Sequence, residues 1–197
     1  MKESIKTLTS CFLFLSLYVI EVGCKGKEIT KQTTTISQVN TQKYTLPKSL
    51  ETFYTNPERR TADSAALMKA PYKLIVDVDF SCPVCIVEVD KWNNFYSDSL
   101  KKYQIPIVLL CRSDDKYRYM KYLFKTQKLK YFPFPLLLDI NNETLRLNPK
   151  LISATGKVKT VFIGADSQIL YTGFPLEGEK DKEDLIKAIA SISPVSH

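Results

Sequence analysis

Residues 80–92 read FSCPVCIVEVDKW. They stand where a β-branched and apolar run, KLIVDVDF at 73–80, gives way to residues recurring at helical spacing: Cys85, Val89, Trp92 and Tyr96. The first run has the near-continuous apolar character of a strand buried on both faces beside parallel neighbours. Pro83 lies where a helix tolerates it, at a first position whose N–H would have no intrahelical partner. Cys82 and Cys85 therefore flank a strand-to-helix junction. Three chemistries compete for them: a redox dithiol, half of a metal site, or a pair of thiols that is inert or bonded only for structure.

The rest of the 197-residue chain narrows that choice. A hydrophobic share of 44% with 25% charged residues is ordinary globular composition, and the length suits one domain plus some sequence outside it. Lys2 and Lys6 precede an apolar run, CFLFLSLYVI at 11–20, too short to span a bilayer. This is the pattern of an export signal. Gly23-Cys24 after it resembles the bacterial lipobox, in which the cysteine carries lipid and becomes the mature N-terminus, although Glu21 stands where leucine is usual. An ordinarily cleaved signal and an uncleaved anchor are the alternatives, and all three put the domain outside the cytoplasm. The division expected is a lipoprotein-type signal at 1–23, a tether and N-terminal extension at 24–69, and a folded domain at 70–197.

Of five cysteines, Cys11 falls in the signal and Cys24 is the lipidation candidate, so Cys82, Cys85 and Cys111 remain. The single histidine is His197 at the chain end, too little to complete a four-ligand zinc site. Three thiols in an oxidising compartment leave one pair and one odd member, and the pair is Cys82 with Cys85.

Downstream, IPIVLLC at 105–111 predicts a second buried strand, DDKYRYMKYLFKTQK at 114–128 a helix, and FPLLLD a third strand. KTVFIG and QILYTG, joined by ADS, predict a hairpin, and DKEDLIKAIAS at 181–191 a closing helix with acidic residues in its first turn. The order is α/β: βαβ, a further strand and a C-terminal ββα on a central mixed sheet. With Cys82-Pro83-Val84-Cys85 opening a helix after a buried strand, residues 70–192 resemble the thioredoxin fold. More narrowly they resemble the membrane-anchored TlpA-like thiol-disulfide oxidoreductases, including tethered lipoprotein forms.

That resemblance implies an envelope enzyme without a cofactor, working on disulfides of other envelope proteins and re-reduced by a membrane thiol-disulfide relay, with no nucleic-acid partner. The chemistry can also be stated from the residues. Exchange needs a thiolate, and a free thiol with a pKa of about 8.5 is mostly protonated at neutral pH. A helix N-terminus aims unpaired N–H groups and the positive dipole end at Cys82, favouring its anion. Cys82 is the expected nucleophile and Cys85, one turn on, the resolving thiol. Pro83 and Val84 would border the substrate groove. The competing reading is a binding or structural module with a non-catalytic CxxC disulfide.

Asp77 and Asp79 share one strand parity, opposite to Val76, Val78 and Phe80. Thioredoxins carry a buried Asp on this strand that moves a proton to or from the resolving thiol, normally six residues before the first Cys. Asp77 matches with a loop shorter by one residue; Asp79 reads as a cap or strand-end residue. The family also places a cis-proline opposite the dithiol just before the hairpin, and in the preferred register Lys159 holds that position, so it is expected in the substrate groove with a trans bond. A solvent-facing Lys159 is the alternative. Trp92 and Cys111 read as core. The basic and aromatic residues of 116–132 read as a core stripe with a solvated lysine face, and the formal charge of +7 suits an anionic surface or acidic partners.

Overall fold

The computed structural model describes residues 42–56, 58 and 63–192. The export-type segment, Cys24 and residues 24–41 lie outside the described residues, so the lipidation site has no structural account here.

Strand β2 (Lys73–Asp79) is central, and it alternates as its sequence demands. Leu74, Val76 and Val78 enter one core, and Ile75 enters the other. Strand β3 (Ile107–Arg112) runs parallel to β2, with Leu74 opposite Ile107 and Asp79 opposite Arg112; β4 (Leu136–Asp139) runs parallel to β3. On the other side β5 (Thr160–Ile163) pairs antiparallel with β2 and forms a hairpin with β6 (Ile169–Gly173). The sequence gives no signal for the outer strand β1 (Leu50–Phe53), within the stretch read as N-terminal extension, which closes the β4 edge in antiparallel pairing. The strand order is β1-β4-β3-β2-β5-β6. This is the expected α/β, thioredoxin-like architecture.

Parallel strands need crossovers, and these are helical. Helix α1 (Ser64–Lys69) leads into β2, α2 (Pro83–Phe95) joins β2 to β3, and α3 (Arg118–Lys125) joins β3 to β4. A one-turn α4 (Thr144–Leu147) follows β4, and α5 (Glu179–Ile192) follows the hairpin. Apolar side chains of α2, α3 and α5 share a core with Leu74, Val76, Leu109 and Leu136, so these three helices cover one face of the sheet. Within it Trp92 is buried and meets Phe95 edge-on at 5.7 Å, as its place on the helical stripe predicts. The second face is covered by Tyr44, by Leu67 of α1 and by Leu151. The helix predicted to run to Leu100 ends at Phe95 and continues as a π turn (Tyr96–Leu100) and a 3-10 turn (Lys101–Tyr103). Among the described residues no helix is long and apolar enough to cross a membrane.

Candidate active site

Cys82 is the N-cap of α2, with extended backbone angles (φ −105°, ψ 109°) and Pro83 as the first helical residue. Its sulfur accepts the backbone N–H of Cys85 at 3.3 Å, so one of the helix's unpartnered donors is turned onto the nucleophile candidate. The loop is fixed from beneath: Cys82 N–H donates to Asp79 O at 3.1 Å, and Ser81 N–H donates to Asp79 Oδ1 at 2.8 Å. Asp79 thus ends the strand, one of its two expected places, and ties the loop that follows. Cys82 and Cys85 are joined in a disulfide with Cα atoms 5.2 Å apart, while Cys111 is free and buried. Burial pushes the Cys111 thiol well up, and the nearby Asp77 carboxylate adds to this. It is an apolar core residue, outside the pair.

Both sulfur-bearing residues are half-buried and border a groove of about 420 Å³. One wall is α2, through Val84, Glu88 and Trp92; the other comes from residues 155–158 and 174–177. Val84 is 75% exposed, a large apolar side chain standing beside the disulfide. Lys157 and Glu177 meet across the second wall at 2.8 Å. Burial, its largest influence, raises the Glu88 carboxyl above its ordinary value. Pro83 is exposed at the helix start and contributes through its backbone rather than as part of the lining.

Asp77 borders this groove, its side chain 5% exposed. It is held by Arg112, whose Nε reaches both carboxylate oxygens at 3.1 and 2.9 Å and whose Nη2 reaches Oδ1 at 2.8 Å. A second, longer contact links Arg112 to Asp79 at 3.6 Å. Burial pushes the Asp77 carboxyl up, and the guanidinium draws it only partly back. For Arg112, burial works against the charge, but Asp77, with Asp79 and Asp139 behind it, outweighs this and the net direction is upward. The two directions are compatible, because arginine keeps its charge in proteins and the unfavourable part of the burial falls on the acid. The result is a carboxyl that takes a proton more readily than a free one and borders the same groove as the dithiol. Arg112 did not emerge from the sequence, although an arginine ending an apolar strand beside one that ends in two aspartates was a usable sign.

Lys159 is where the structure corrects the expectation. Val158 and Thr160 border the groove; Lys159, with the opposite strand parity, is half-buried against a small cavity on the other face together with Tyr44, Ile75, Asn148 and Asp77, which borders both spaces. Its backbone is tied by its N–H to Leu151 O at 2.9 Å. The cations on the groove side are Lys157 and Arg112. Lys159→Met is therefore expected to leave the pH midpoint of Cys82 alkylation where it is in the wild type; a shift of half a unit or more would return Lys159 to the dithiol.

Among the described residues no group of three or more His, Cys, Asp or Glu is placed to hold a metal ion. The sequence matches no protein-family model and no curated protein. Among solved structures, it is similar to an uncharacterized thioredoxin-like protein from Porphyromonas gingivalis (18% identity, 79% of this chain and 97% of that one, TM-score 0.47). A hypothetical protein from Sinorhizobium meliloti (12% identity, 79% and 89%, TM-score 0.45) is also similar. So is the pneumococcal exposed lipoprotein thioredoxin of Streptococcus pneumoniae (14% identity, 61% and 86%, TM-score 0.43). At these identities and TM-scores, any case for activity rests on the dithiol and its surroundings.

Proposed function

We propose that this chain is a membrane-tethered thiol-disulfide oxidoreductase of the cell envelope, on the periplasmic side and anchored by lipid on Cys24, that reduces disulfides of other envelope proteins. The observation that carries the reading is the position of Cys82: N-cap of a 13-residue helix, its sulfur on a backbone N–H, at the edge of an open groove. In the reduced protein the Cys82 thiolate attacks one sulfur of a substrate disulfide; a mixed disulfide forms and one substrate thiolate leaves. Cys85, its proton taken by Asp77, attacks Cys82 Sγ, which forms the Cys82–Cys85 disulfide and expels the second substrate thiolate. Two electrons pass from the dithiol to the substrate, and a membrane thiol-disulfide relay returns them. No cofactor enters these steps.

The tight Asp77–Arg112 pairing favours a second reading, a structural disulfide in a binding module, because a carboxylate so held is less free to serve as a base. One measurement separates the two. Equilibration in glutathione or dithiothreitol buffers, followed by alkylation and mass mapping, is expected to show Cys82 and Cys85 titrating as one two-electron couple above about −300 mV, with Cys111 unlabelled until the protein is unfolded. A couple below about −300 mV, or a Cys82–Cys111 bridge, would place the bond among the structural ones.

A further inference from the structure

A second surface is built on the other side of α2. Between 116 and 131 the chain carries six basic residues, Lys116, Arg118, Lys121, Lys125, Lys128 and Lys130, and no acid, and all six are exposed. Among the described residues none makes an ion pair with a carboxylate, whereas Lys180, Lys182 and Lys187 on α5 each pair with an acid three or four positions away. Set among these charges are three exposed tyrosines: Tyr119 and Tyr122, each 47% exposed, and Tyr131 at 44%. Tyr119 and Tyr122 stack with centroids 6.4 Å apart, and Lys128 Nζ lies 5.0 Å from the centre of the Tyr122 ring and 3.1 Å from its hydroxyl. The face is rigidly mounted. Met120, Leu123 and Phe124 anchor the inner side of α3 in the core, and the following loop is held to α2 where Asn93 donates to Tyr131 O at 3.1 Å and Lys130 N–H donates to Asp90 Oδ1 at 3.3 Å.

We infer that this basic, tyrosine-studded face of α3 docks on the surface of an anionic phospholipid bilayer. Unpaired lysines are drawn to anionic headgroups, and tyrosine, apolar in its body and polar at its tip, suits the headgroup level. The same chain carries at 11–20 the apolar run read as directing it to a membrane. A second copy presenting this face would meet six like charges. A nucleic acid is disfavoured by the export-type run at 11–20, which takes the chain away from it. The groove by Cys82 draws its lining from β2, Arg112, α2, residues 155–158, Thr160 and residues 174–177, and none from α3. Docking through α3 therefore leaves the dithiol open. This inference does not depend on the redox reading.

The test uses the full chain, with vesicles of phosphatidylcholine alone and with 40% phosphatidylglycerol. The N-terminal segment can partition into both, so the quantity read is the ratio between them. We expect the phosphatidylglycerol vesicles to bind more tightly, with the difference vanishing in 0.5 M salt. In the Lys121→Glu, Lys125→Glu, Lys128→Glu triple variant the preference should fall about 100-fold, at about fivefold for each cation lost. The urea unfolding midpoint of this variant should match the wild type, which checks its fold. In a Tyr122→Trp variant, indole emission should be quenched by brominated phosphatidylglycerol. Equal partition onto the two vesicles, an undiminished preference in the triple variant, or no quenching at residue 122 would overturn the inference. Tighter binding to a single-stranded oligonucleotide than to phosphatidylglycerol vesicles at equal salt would also overturn it, in favour of nucleic acid.

Discussion

Cys82→Ser is expected to abolish insulin reduction supported by dithiothreitol, so that the turbidity trace overlies the one obtained without protein. The sulfur of Cys82 sits at the N-terminus of α2 and accepts Cys85 N–H at 3.3 Å, a setting that stabilises an anion. A serine hydroxyl there keeps the cap, since serine is among the best N-cap residues, but it is not ionised at neutral pH and cannot exchange with a disulfide. The fold should survive while the chemistry is lost. Cys85→Ser should behave differently: attack by Cys82 still occurs, but nothing resolves the product, and a mixed disulfide with the substrate should accumulate on non-reducing gels. Cys111→Ser should retain the wild-type rate, because that thiol is fully buried and its proton is held tightly. An unchanged rate in Cys82→Ser, or a rate that follows Cys111, would sink the assignment of the nucleophile.

Arg112→Met should destabilise the fold by about 3–5 kcal/mol at pH 8, read as a lowered urea midpoint. Methionine keeps much of the stem's volume, so the loss falls mainly on the charge. Asp77 is left as a buried carboxylate without its partner, with Asp79 beside it and Asp139, which burial covers completely, on β4 beyond β3. The sign of the pH dependence follows. Without the guanidinium, the Asp77 pKa in the folded state stands further above its unfolded value. Between those two values the folded protein holds a proton that the unfolded chain releases, so the stability of the variant falls as pH rises through that window and is flat above it. The gap between wild type and variant is therefore expected to narrow on acidification. A gap of equal size at pH 5 and pH 8 would mean that the arginine stem, not its charge, was what mattered. If Asp77 serves as the proton acceptor, the same variant should also move the pH profile of mixed-disulfide resolution toward higher pH, while Cys82 alkylation changes little.

Some of this was determined by the sequence alone. The CPVC pair at a strand-to-helix junction, the core side of α2, the buried character of β2 and β3, the terminal hairpin and the helix after it are all set by local chemistry. Alternation with a period of two, apolar spacing near 3.6 residues, and a proline that can sit only at the start of a helix each act within a few neighbouring residues. Asp77 could be singled out on the same ground, as a charge within a strand that buries its neighbours.

The tertiary structure decided what depends on lateral neighbours. Residues 50–53 have no strong strand pattern, and they become β1 because the β4 edge offers them partners. Arg112 meets Asp77 only because β2 and β3 run parallel in the register that sets Asp79 against Arg112. Lys159 turns from the dithiol because Thr160 enters β5 with the parity of Phe162, and a shift of one residue in a strand exchanges its two faces. The groove joins α2 to segments far along the chain, at 155–158 and 174–177. No local pattern encodes such pairings, since they are selected by the burial and hydrogen bonding of the assembled sheet.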